Sequence, residues 1–173
     1  LDRRILEATG RMELPVGAQT FTLRGRADRI DRFRDGRLAI LDYKTGTPPS
    51  AKQVQCLLAP QLPLEAAMVR AGAFGDDIAT QPIGGLLYVR LSGSGDGGTL
   101  CDVGVAPRGG EPVTAEDLAE RALEKLTGLV ALYQDPNQGY PSRPRIQYAR
   151  QTDGPYDHLA RVKEWAAGEE GEG

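Results

Sequence analysis

The stretch that decides the fold reads Leu23-Arg-Gly-Arg-Ala-Asp-Arg-Ile-Asp-Arg-Phe-Arg-Asp-Gly-Arg-Leu-Ala-Ile-Leu-Asp-Tyr-Lys-Thr45. Extended runs at 21–33 and 37–45 flank an Asp35-Gly36 turn signal, which predicts an antiparallel hairpin. Period-2 alternation places Leu38, Ile40, Asp42 and Lys44 on one face of the second run, with Ala39, Leu41 and Tyr43 on the other. An apolar strand thus ends in an acid and an amine side by side. Register decides which acid of the first run joins them. An odd loop, Arg34-Asp35-Gly36 with Gly36 in the left-handed conformation, puts Asp28 opposite Asp42, Ile30 opposite Ile40 and Arg26 opposite Lys44. A two-residue loop would throw the two carboxylates onto opposite faces. The odd loop is the expected one.

Two carboxylates facing each other with Cβ atoms about 5 Å apart repel unless a cation lies between them. Carboxylate oxygens and water suit magnesium or manganese, and no soft ligand nearby favours zinc. Lys44, on the same face, can hold an attacking water or stabilise charge growing on a phosphate. Taken singly, each Asp is also readable as a strand-end residue neutralised by a neighbouring arginine.

Gly25-Arg26-Ala27-Asp28-Arg29-Ile30-Asp31, the Asp-Gly turn, Ile40-Leu41-Asp42-Tyr43-Lys44-Thr45-Gly46 and the later Gln61 together resemble the RecB-type branch of the PD-(D/E)XK nucleases, and within it the C-terminal nuclease domain of the AddB family of break-repair helicase-nuclease subunits. The resemblance implies an α/β, restriction-endonuclease-like mixed sheet, an antiparallel hairpin start plus a parallel strand, flanked by helices. It implies Asp28 and Asp42 as metal-binding acids beside the Tyr43 backbone carbonyl, Lys44 as the motif lysine and Gln61 as the following catalytic glutamine. The cofactor implied is Mg2+, with Mn2+ a possible substitute. The activity implied is hydrolysis of single-stranded DNA at unwound ends by an exonuclease-type enzyme, with an AddA-like helicase-nuclease subunit as partner. A catalytically silent DNA-binding or assembly scaffold is the alternative. Relatives carry a helix before the first strand that supplies another acid or a histidine. The chain starts at Leu1 without that helix and reads as an excised piece, with Glu7 the nearest substitute and a solvated strand-face role preferred for it. Relatives also carry a tyrosine four residues after the glutamine, where this chain has Glu65. Many hold an iron-sulfur cluster through C-terminal cysteines; none occurs in that region here, so no cluster is expected.

At 173 residues and 40% hydrophobic composition the chain suits one domain, expected over 1–166 with an acidic, disordered tail at 167–173. No apolar run approaches a membrane span and no signal peptide opens the chain, which predicts a cytoplasmic protein without membrane contact. Cys56 and Cys101 form no metal or disulfide pattern. The net charge of -3 hides an asymmetry: residues 1–44 carry ten Lys/Arg against seven Asp/Glu. Arg24, Arg26, Arg29, Arg32, Arg34 and Arg37 either follow a phosphate backbone or neutralise the local acids. Arg24, Arg26 and Thr45, with Arg143 and Arg145 from the basic, tyrosine-bearing segment at 139–150, are the candidate DNA contacts. Packing of that segment on the domain is an equally good reading.

Around the hairpin, 5–14 reads as a first strand turning at Pro15-Val16-Gly17 into 19–33. Ser50 to Gln53 has the form of a capping box opening a short helix through Leu57. Pro60 and Pro63 belong at or before the start of the next helix, continuing over 64–71 with Gln61 at its mouth. The run 83–91 is expected as a strand covered on both faces and parallel to 38–45 through a right-handed crossover, followed by a glycine-rich connection and a strand at 99–105. Thr114 caps a long helix whose buried stripe is Leu118, Ala122, Leu126, Leu129, Val130 and Tyr133. A last helix is expected over 157–165.

Overall fold

A computed structural model describes residues 1–93, 98–104 and 113–140. The chain falls into two compact units, Leu1–Gln134 and Asp135–Gly173, and all the elements below belong to the first. Two long strands, β1 (Arg3–Val16) and β2 (Gln19–Arg32), form an antiparallel ribbon closed by Gly17 at φ 57°. Strand β3 (Leu38–Lys44) adds antiparallel to β2, and β4 (Ile83–Arg90) adds parallel to β3. Strand β5 (Thr99–Asp102) closes the five-stranded sheet, antiparallel to β4, in the order β1-β2-β3-β4-β5. The mixed sheet, with a hairpin start and one parallel pair, has the expected restriction-endonuclease-like form.

The hairpin turn is the three-residue one. Phe33 N–H donates to Arg37 C=O, Gly36 N–H to Phe33 C=O, and Gly36 sits at φ 84°. The β2–β3 register follows: Ile30 faces Ile40, and Arg29 faces Leu41.

Between β3 and β4 run three helices. Ser50 accepts from Gln53 N–H while the Gln53 side chain accepts from Ser50 N–H, so the capping box opens α1 (Ala51–Gln55), which ends two residues short of Leu57 because Leu57 turns to φ 58°. Helix α2 (Gln61–Arg70) begins earlier than 64. Pro63 fits inside its first turn, where the missing N–H would have had no intrahelical partner. A short α3 (Asp76–Ala79), not foreseen from the sequence, precedes β4.

Helix α4 (Ala115–Tyr133) is capped by Thr114, and Asp117 returns a bond to the cap N–H. It packs on α2 and reaches β1 and β4. Its buried stripe is Ala115, Leu118, Ala119 and Ala122. Leu126 and Val130 cover the Met12, Leu14 and Val16 face of β1, whereas Leu129, expected inside, is exposed. Strand β4 differs from expectation in alternating: Ile83, Leu86 and Tyr88 are buried while Leu87 and Val89 are only half-buried, so one face is fully covered. The main core joins Ile30, Leu38, Ile40, Leu62, Leu86, Tyr88 and Leu118. The strand expected at 99–105 stops at Asp102. Beyond Tyr140, the 139–150 segment with Arg143 and Arg145, the 157–165 helix and the acidic tail lie outside the described residues.

Candidate active site

The C-terminal end of β3 and the first turn of α2 meet to build the site. Strand β3 is buried on both faces as far as Asp42 and emerges only at Tyr43. Asp42 therefore carries its carboxylate into the core side of the sheet, 3% exposed, while Lys44 lies half-buried on the same face. Lys44 Nζ stands 2.7 Å from Asp42 Oδ2 as an ion pair. Gln61, the first residue of α2, joins the two. Its Nε2 donates to Asp42 Oδ1 at 2.6 Å and its Oε1 accepts from Lys44 Nζ at 3.1 Å.

One helical turn on, Glu65 accepts from the same Gln61 Nε2 at 3.1 Å. It is 5% exposed, and its Oε2 has no partner. Burial pushes its carboxyl up to about 7, and the charges of Asp42 and Asp28 push the same way against the Gln61 hydrogen bond. Tyr88, opposite Asp42 in the parallel ladder, is wholly buried with an unpartnered hydroxyl, and burial and then the charges of Asp42 and Glu65 push that hydroxyl up. Lys44 Nζ lies 5.7 Å above the Tyr88 ring.

Asp28 joins by a different route from simple pairing. The β2–β3 ladder ends at Arg29–Leu41, where the next hydrogen-bonded exchange would fall on Ala27 and Tyr43. The Tyr43 N–H donates instead to Asp28 Oδ2 at 3.0 Å. At this level β1 and β2 both change phase: the β1–β2 pairing skips Glu7 and Asp28, Glu7 takes φ 52°, and Ala27 and Ile30, three apart, are both core. A carboxylate thus substitutes for a backbone carbonyl where β2 bends away from β3. The expected pairing of Arg26 with Lys44 fails for the same reason. Arg26 lies opposite Thr9 on β1 and forms an exposed ion pair with Glu7, and the residue facing Lys44 is Arg90 of β4.

Most of the hairpin arginines are committed to acids. Arg29 and Arg4 both donate to buried Asp31; burial pushes the Asp31 carboxyl up, but the two guanidinium groups outweigh it and hold it below the usual range. Arg32 pairs with Asp2 and Arg37 with Asp35. Arg24 is exposed and Thr45 is exposed just beyond β3. Tyr88 and Arg90 are residues of this cluster that sequence reasoning passed over, and Glu65 entered it only as the residue at the relatives' tyrosine position. Glu65 had a usable signal, a lone acid four residues after Gln61 within an otherwise apolar helix.

A mixed sheet whose central strand ends in an acid and a lysine two positions apart, met by a helix glutamine, defines a nuclease-like α/β protein. The chain matches the PD-(D/E)XK nuclease superfamily over residues 3–147 and belongs to it. An uncharacterized protein of Rickettsia bellii is 35% identical over 77 residues, 44% of this chain and 9% of that protein. Uncharacterized proteins of Rickettsia felis and Rickettsia conorii are each 38% identical over 68 residues, 39% of this chain and 8% of theirs. The chain therefore spans less than a tenth of the length of these curated relatives. Among solved structures, the crystal structure of SSO0001 aligns with a TM-score of 0.42 at 17% identity, covering 73% of this chain and 50% of that one.

Nucleases of this superfamily typically use divalent metal ions, and the donors here fit a hard one. They are the carboxylate oxygens of Asp28 and Asp42, hard donors, with Asp42 Oδ2 set against the Lys44 ammonium. Among the described residues no group of three or more His, Cys, Asp or Glu side chains is placed to hold a metal ion. No helix among the described residues is long and apolar enough to cross a membrane.

Proposed function

We propose that this chain is a metal-dependent DNA nuclease module of the RecB-type branch, akin to the C-terminal domain of AddB, acting on single-stranded ends during break repair. The carrying observation is the ring Asp42–Lys44–Gln61 at the end of β3, with Asp28 bonded to the intervening Tyr43 N–H. Asp28 and Asp42, with the Tyr43 carbonyl, hold the ion; bound Mg2+ supplies a water of lowered pKa and neutralises charge on the scissile phosphate. Lys44 stabilises the charge that grows on the phosphoryl oxygens and orients the attacking water. Gln61 holds the Asp42 carboxylate and the Lys44 ammonium at fixed separation, so neither has to reorganise when substrate arrives. Arg24, Arg26, Thr45, Arg143 and Arg145 are the proposed DNA contacts, Arg26 after release from its exposed pair with Glu7. An exonuclease mode, a nuclease domain over 1–166, an AddA-like partner and a cytoplasmic setting complete the proposal. They are supported by the likeness of the Gly25–Asp31 and Ile40–Gly46 motifs and Gln61 to that branch.

One observation favours a second reading, a silent DNA-binding or assembly scaffold: Lys44 and Gln61 both turn onto Asp42, so its charge is already compensated within the chain. Incubation with end-labelled single-stranded DNA and magnesium separates the two. Magnesium-dependent cleavage that disappears in Asp42→Ala supports the nuclease. Binding without cleavage, unchanged by magnesium, selects the scaffold.

A further inference from the structure

Lys44 and Arg90 are paired positions of the parallel β3–β4 ladder, and the Leu91 N–H donates to the Lys44 carbonyl at 2.8 Å. Paired residues project to the same face, so Arg90 stands beside Lys44 on the face that carries Asp42 and Tyr88. Two like charges directly opposed on a sheet are destabilising. Lys44 is compensated, since its ammonium leans back onto Asp42 and the Tyr88 ring. Arg90 is exposed, and among the described residues no carboxylate pairs with it. By contrast Arg26, Arg29, Arg32 and Arg37 of the hairpin, and Arg4 of β1, spend their charge on acids of the chain itself.

We infer that Arg90 and the outer side of Lys44 form a phosphate clamp at the C-terminal end of the parallel pair, holding a phosphodiester of a nucleic-acid strand beside the Asp42 site. An anion between two cations on adjacent strands relieves their repulsion, as a metal ion does for two carboxylates, and a guanidinium presents two parallel N–H donors to phosphate oxygens. The clamp rests on the nuclease reading of the same site and deepens it. It gives the strand a fixed entry point on rigid elements, next to the lysine that faces the scissile group.

The test is anisotropy of a fluorescein-labelled oligodeoxythymidylate with the full chain in Ca2+, across a salt series, for the parent and for Arg90→Ala, Arg90→Lys and Arg37→Ala. Loss of one phosphate contact from a single strand predicts about tenfold weaker binding for Arg90→Ala and a salt slope smaller by about 0.7. Arg90→Lys restores the slope. Arg37→Ala, whose guanidinium is tied to Asp35, binds like the parent. In cleavage, Arg90→Ala raises KM more than it lowers kcat. Should Arg90→Ala melt early, Arg90→Gln keeps most of the stem and carries the same expectations. An Arg90→Ala affinity and salt slope equal to the parent's overturn the clamp and leave the nuclease reading standing, as does an equal loss in Arg37→Ala. A parent that binds no oligonucleotide overturns both.

Discussion

The Gln61 amide donates one hydrogen bond to Asp42 at 2.6 Å and a second to Glu65 at 3.1 Å, so a single NH2 group serves two buried carboxylates. Two acids and one lysine are thus tied together at one strand end by this amide. Gln61→Leu keeps the bulk but removes both donors, leaving Asp42 Oδ1 and Glu65 Oε1 buried and unpaired. An unsatisfied buried acceptor costs about 1–3 kcal/mol. The expected outcome in urea unfolding is an unfolding free energy lower by an amount of that order, read as a lower midpoint with unchanged slope. Gln61→Glu should fall further, because it adds a third negative charge where the amide stood.

Glu65 makes stability depend on pH in the direction opposite to an ordinary salt-bridged acid. Its carboxyl keeps the proton up to about 7 in the folded chain, against an ordinary value of 4.5 once exposed. Between those values the folded state binds more protons than the unfolded one, so stability falls as pH rises through the window. The fall attributable to this group is about 3 kcal/mol in all. Glu65→Gln cannot ionise, so its unfolding free energy should lack this component. The variant should match the parent near the acid end of the window and exceed it above the folded value, as read from denaturant unfolding at a series of pH values.

Gly36 sets the face on which Asp42 lies. At φ 84° it occupies a conformation that L side chains resist, and a Cβ there would come within 2.9 Å of the Gln81 Oε1, the far end of a flexible side chain. Gly36→Val should therefore lower stability by about 1–2 kcal/mol, mainly through the backbone conformation. Deleting Asp35 is a stronger perturbation. A two-residue turn shifts the register by one, so either the β3 core residues Leu38 and Ile40 or their β2 partner Ile30 must turn to the wrong face. The expected result is loss of cooperative unfolding, seen by calorimetry.

The Asp-Gly pair and the alternation of Leu38, Ile40, Asp42 and Lys44 made the hairpin and its register legible in the sequence, because turn chemistry and pleat are local. Ser50-Gln53 and Thr114-Asp117 marked two helix starts for the same reason. What the sequence left hidden depends on which elements meet. Asp28 was placed by register alone, whereas the chain bends at Glu7 and Asp28 and delivers the carboxylate to the Tyr43 N–H. Glu65 read as a mere departure from a tyrosine, since nothing local shows that α2 sets it beside Asp42. Leu129 followed helical periodicity but lies exposed on α4. The clustered hairpin arginines read equally as a phosphate track or as partners of local acids; Arg29 and Arg37 take acids two residues away, Asp31 and Asp35, while Arg26 and Arg32 take Glu7 and Asp2 from the first strand's side.

Asp42 and Glu65 lie buried at the strand end with a single ammonium, Lys44, against Asp42, and Asp28 bonds the neighbouring Tyr43 N–H, so a divalent cation held by Asp28 and Asp42 would add a stabilising partner to these acids. Mn2+ should therefore stabilise the parent chain, by about 2.7 kcal/mol when its free concentration is a hundredfold over the dissociation constant. Asp42→Asn removes a charge that the ion needs, while its amide still fills the same space. Its melting temperature without ion should fall, because half-buried Lys44 loses its ion-pair partner. Its response to Mn2+ should be lost. Differential scanning calorimetry of both chains with and without Mn2+ checks this. A shift of equal size in the two chains would mean that the ion binds elsewhere, and the Asp28–Asp42 site would lose its proposed role.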